Sequence, residues 1–130
     1  MPQTRLENCL LQNPNGFYLQ LTGGKQMHVQ PKLSVDGRLI GVDCSSLGSS
    51  PFLQLAVFEE VINHLARQAN RRARKGDAHG SKLGTPGLPF DSVEGHVAHF
   101  CYGKQAGDSV FRRITPISRI LAWSGVCVNG

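Results

Sequence analysis

From Pro51 to Lys75 the apolar residues Leu55, Phe58, Val61, Ile62, Leu65 and Ala69 return at steps of three and four. That period aligns side chains along one face of an α-helix and along no face of a strand. Ser50 followed by Pro51 predicts the start, a hydroxyl cap with proline in the first helical position. Gly76 predicts the stop, and Arg74 and Lys75 suit the negative end of the helix dipole. A helix with a single apolar stripe must bury it against a second layer, so the rest of the chain has to supply one.

The first 43 residues read as that layer. Asn13-Pro14-Asn15-Gly16, Thr22-Gly23-Gly24-Lys25 and Asp36-Gly37 are turn signals at roughly even spacing. Between them lie the short runs Leu6–Leu11, Phe17–Leu21, Met27–Gln30, Leu33–Val35 and Arg38–Val42, which predict a β-meander. Asp36-Gly37 predicts a type I′ hairpin turn, and Pro31, lacking an N–H, predicts an edge or a break. Residues 44–50 read as a small-residue connector and residues 77–89, with three glycines and two prolines, as an exposed, mobile loop. Asp91-Ser92-Val93-Glu94 fits a capping box with Asp91 as cap. It opens a helix to about Tyr102 that buries Val93, Val97, Phe100 and Cys101. Val110–Ile114 and Val126–Val128 are strand-like, and Thr115-Pro116 starts a last short helix with Ile117, Ile120 and Leu121 inward. The expected fold is α+β, an N-terminal antiparallel meander packed against one long and two shorter helices. Asn129-Gly130 is a turn signal with no returning strand, as in a fragment.

A chain of 130 residues fits one domain. No apolar run follows a basic N-terminus and none reaches the ~18 residues of a membrane span, so a soluble cytoplasmic protein is expected. Cys9, Cys44, Cys101 and Cys127 are far apart, with no Cys-x-x-Cys pair. Reduced thiols are expected, without zinc and without a cofactor.

The formal charge of +5 is placed unevenly. Residues 1–60 carry four Lys/Arg against five Asp/Glu, and residues 61–130 carry ten against four. This asymmetry points to a polyanion-facing surface. Arg67, Arg71, Arg72, Arg74 and Lys75 run without an intervening acid. On one continuous helix Arg67, Arg71 and Arg74 would form a row opposite the apolar stripe, spaced to follow a phosphate backbone. Arg112-Arg113-Ile114-Thr115-Pro116 places two cations at a helix start, where the dipole disfavours them. An anion held by helix N–H groups, the Thr115 hydroxyl and the arginines would relieve that. The alternative is an arginine paired with Asp108 or Glu94.

Other chemistry is thinner. His96 and His99 lie three apart on one helix but lack a convincing third ligand for a metal. Gly107-Asp108-Ser109 is a lone tripeptide in a turn, and Gly23-Gly24-Lys25 is no phosphate-binding loop. The reading is therefore a nucleic-acid-binding protein, DNA or RNA, that uses Arg67, Arg71, Arg74, Lys75, Arg112, Arg113 and Thr115, mainly on phosphate. Its rivals are a protein-interaction module, with oligomers formed through the sheet edge or the long helix, and a small enzyme using His79, His96 and His99.

Overall fold

A computed structural model describes residues 2–48, 51–68, 73–78 and 80–126. The protein is α+β, with a four-stranded antiparallel sheet in the order β1-β2-β3-β4 and a set of helices. The chain divides into two compact units, residues 1–58 with 116–130, and residues 59–115.

The first unit holds the meander. Strands β1 (Phe17–Gln20), β2 (Gln26–Leu33), β3 (Leu39–Cys44) and β4 (Phe52–Gln54) pair in sequence order. The register sets Pro31 opposite Val42 and Val42 opposite Leu53, with Val29 opposite Cys44. Met27, Val29, Val42, Cys44 and Leu53 are buried, so alternation puts one face of the sheet into the core. Pro31 lies inside β2, but β1 pairs only as far as Val29. At Pro31 that side of β2 is therefore an edge and requires no ladder N–H. At the hairpin, Gly37 N–H donates to Ser34 O and Ser34 N–H donates to Arg38 O. The loop is one residue longer than a two-residue turn, with Gly37 at φ 85°. Gly41 has no room for a side chain, because a Cβ there would strike the Leu53 carbonyl.

Several boundaries differ from the sequence expectation. The run at Leu6–Leu11 is no strand but part of helix α1 (Pro2–Leu11). Leu6 and Leu10 are fully buried four residues apart while Asn8 is exposed, a helical spacing. In the same unit Phe17 stacks on Trp123, with ring centroids 4.1 Å apart, and Arg5 Nε donates to Ser124 O at 3.0 Å.

The long helix is also shorter than its pattern. Residues 52–54 belong to β4, and helix α2 runs Leu55–Arg67. Its buried residues are Val57, Phe58, Val61 and His64, so a histidine completes the inward face in place of Leu65. Ala69 and the cap residue Ser50 lie outside the described residues.

In the second unit, the described residues of 77–89 are irregular but anchored. Leu83 and Leu88 are buried in one cluster with Ala78, Ala98 and Val110. Main-chain bonds tie Asp77 to Gly87, and Leu83 to both Asp108 and Gly107. Helix α3 (Val93–His96) is capped not by Asp91 but by Ser92, whose hydroxyl accepts the Gly95 N–H. It continues as a π-helical turn, Val97–Cys101. The extra residue in such a turn rotates everything after it by roughly 100° relative to a regular helix. Phe100, expected inside, is accordingly 67% exposed. No strand forms over 110–113. The last helix, α4 (Ile114–Trp123), begins one residue earlier than expected and buries Ile117, Ile120 and Leu121. Residues 127–130 lie outside the described residues. No helix among the described residues is long and apolar enough to cross a membrane.

Candidate functional site

The basic residues of 67–75 do not form one helical row. Helix α2 ends at Arg67, whose Nη2 lies 3.2 Å from Glu60 Oε1. Arg74 and Lys75 are exposed in non-helical chain. Their carbonyls accept the N–H groups of Val93 and Glu94, and Arg74 Nη2 donates to Pro86 O at 3.0 Å. A segment bonded in this way cannot continue the i→i−4 ladder of α2. Arg71 and Arg72 fall outside the described residues.

The start of α4 already has its anion. Glu94, 1% exposed, accepts the main-chain N–H of Arg113 at 3.0 Å and that of Ile114 at 2.5 Å. An internal carboxylate thus sits at the positive end of the helix, where an external phosphate was expected, and it does so on the N–H groups of Arg113 and Ile114. Burial pushes this carboxyl above the usual range, opposed by the two N–H donors and by the charges of Arg113 and Arg112. Among the described residues, neither arginine side chain forms an ion pair with Asp108 or Glu94.

The side chains of that motif adopt a different arrangement. Arg112 is exposed and Arg113 half-buried. The Arg113 guanidinium carbon sits 3.6 Å from the Tyr102 ring centroid and 4.8 Å from that of Phe111, and its Nη1 donates to Phe111 O at 3.1 Å. Each ring face attracts the cation through its quadrupole, so the guanidinium is held in one place without a side-chain ion pair among the described residues. Thr115 is half-buried. No local pattern signals this stack, because Tyr102 and Arg113 sit on separate segments that meet only in the fold.

A second cluster surrounds the histidines. His64 and His96, each 5% exposed, stack with ring centroids 4.0 Å apart. His64 Nε2 donates to Asp91 O at 2.7 Å, since a carbonyl can only accept. His96 Nε2 lies 2.9 Å from Glu60 Oε1, and its ring also stacks on Phe100. Burial holds the His96 pKa below the ordinary imidazole value, and the Glu60 carboxyl is held low by its bonds to His96 and Arg67. A neutral imidazole therefore donates to an ionised carboxylate. His99 turns elsewhere, giving Nδ1–H to Lys104 O. No group of three or more His, Cys, Asp or Glu among the described residues could hold a metal ion, and His79 lies outside them. Cys9, Cys44 and Cys101 are free thiols. Burial, then the Glu60 charge, raises the Cys101 thiol pKa, so it stays protonated and a poor nucleophile.

No family model, no curated protein and no solved structure matches this chain.

Proposed function

We propose that this protein binds nucleic acid through the phosphate backbone, using Arg112 and Arg113 together with Arg74, Lys75 and Arg67. One observation supports this above the others. The two neighbouring arginines form no ion pair among the described residues, while the acid closest to their main chain, Glu94, is turned inward. Burying the carboxylate under a helix start, with Arg112 exposed and Arg113 half-buried, favours a local positive surface. Guanidiniums suit phosphate because their planar N–H fork can meet two oxygens at once.

Arg67 contributes less than its place in the basic run suggests, since Glu60 already takes part of its charge. Arg74 keeps its exposure and spends one N–H on Pro86 O. Thr115 and Arg71, next to these cations in sequence, stay in the proposal. A cytoplasmic location belongs to the same proposal.

Titration of fluorescently labelled oligonucleotides at low ionic strength tests this. Binding that is reversed by added salt is the expected result, and absence of binding at about 50 mM salt would remove the proposal.

A further inference from the structure

The second unit exposes aromatic rings where a purely phosphate-directed surface needs none. Phe111 is 45% exposed, Tyr102 36% and Phe100 67%, the last two separated by one residue in sequence. The Arg113 guanidinium lies over both the Tyr102 and the Phe111 ring and donates to one carbonyl. We infer that Phe111, Arg113 and Tyr102 form a platform on which unpaired bases stack, so that the ligand is single-stranded nucleic acid; this rests on the nucleic-acid reading above.

In a duplex the base faces are covered by their neighbours, and a protein ring cannot reach them without unstacking the helix. In a single strand those faces are open, and aromatic rings beside cations are the common way to hold them without reading sequence. The cation sits at the rings themselves, and Arg112 is exposed next to it in sequence. Phosphates and bases of one strand can therefore be met by adjacent side chains. Because Arg113 is already pinned by its rings, little of its side-chain freedom remains to be lost on binding. Phe100 supplies a further exposed ring, backed by the His96 imidazole at 4.4 Å between centroids.

The test uses the whole chain and three probes of about twelve nucleotides: an oligo-dT, an oligo-U and a blunt duplex. Anisotropy is read at one salt concentration for wild type, Phe111→Ala, Phe111→Trp and Arg112→Ala, with melting curves confirming that each variant folds. The expected result is that at least one of the two single-stranded probes binds about ten-fold or more tightly than the duplex. Phe111→Ala should lose most of that preference, Phe111→Trp should keep it, and Arg112→Ala should weaken all probes together. Which single strand binds tells DNA from RNA. Equal binding of duplex and single strands, or a Phe111→Ala variant unchanged on both, overturns this inference and leaves the nucleic-acid reading standing. Binding to none of the probes overturns both.

Discussion

The carboxylate of Glu94 accepts the main-chain N–H of Ile114 at 2.5 Å, across twenty residues of sequence. The positive end of α4 is thereby neutralised from within the protein. The guanidiniums of Arg112 and Arg113 take no part in this bond.

This relationship has a stability consequence. Glu94→Ala leaves two N–H groups without their acceptor, one of them buried. The expected loss is about 2–4 kcal/mol of unfolding free energy, from roughly 1–3 kcal/mol per orphaned buried group. Glu94→Gln keeps an acceptor oxygen and removes a charge that burial disfavours, so it should cost about half as much. Urea denaturation of both variants checks this, and a Glu94→Ala variant within about 0.5 kcal/mol of wild type would show that the cap contributes little.

The stacked imidazoles predict a pH dependence. The His96 pKa is depressed in the fold by burial. Its stabilising contribution is therefore present above the unfolded imidazole value, about 6.5, and is lost as pH falls below it. Protonation would put a cation against the His64 ring at 4.0 Å, with Arg67 nearby and Glu60 the one facing acid among the described residues. The Glu60 contribution, also from a depressed pKa, is lost only at lower pH, below about 4.5. Glu94 works in the opposite sense, its contribution present below about 4.5 and lost as pH rises through its raised value. Between pH 7.5 and 5.5 the melting temperature should fall, and less so in His96→Gln. An identical fall in that variant would place the titrating group elsewhere.

The irregular segment at 77–89 should behave as packed chain. Leu83→Ala and Leu88→Ala each remove a buried side chain from the same cluster. Each should cost roughly 2–4 kcal/mol, the usual range for leucine truncation in a core. Limited proteolysis should leave this segment intact in wild type and cut it in the variants. Rapid cutting in wild type would contradict the packing.

What is legible in the sequence is what local periodicity encodes. The Leu33, Gly37 and Leu39 region shows its hairpin because turn chemistry and alternation agree, and α2 shows its amphipathic stripe. Residues 52–54 escape a local reading because Ser50-Pro51 is a sound helix start and no breaker separates Phe52 from Leu55. Helix propensity carries on past Arg67 through Arg74, but the carbonyls of Arg74 and Lys75 are bonded to Val93 and Glu94, partners no window of local sequence contains. A period of 3.6 places Phe100 inside only when it is continued through what is in fact a π-helical turn. In the candidate site, Arg112 and Arg113 are legible as misplaced cations. Glu94 enters among the alternatives, but as a side-chain partner. Its part as acceptor of main-chain N–H groups, and the rings that hold Arg113, depend on tertiary structure alone.

The most direct test of the nucleic-acid reading is the salt dependence of binding for wild type and Arg112→Ala side by side. Arg112 is exposed and makes no ion pair among the described residues, so its removal should leave the melting temperature unchanged. If about four cations meet phosphates, the plot of log K against log salt should slope near −3.6 on duplex DNA, or about −2.8 on a single strand. In Arg112→Ala that slope should become shallower by about 0.9 or 0.7 respectively, because one phosphate is no longer neutralised. A slope near zero for wild type, or an unaltered slope and affinity in Arg112→Ala, would contradict phosphate-backbone binding through this surface.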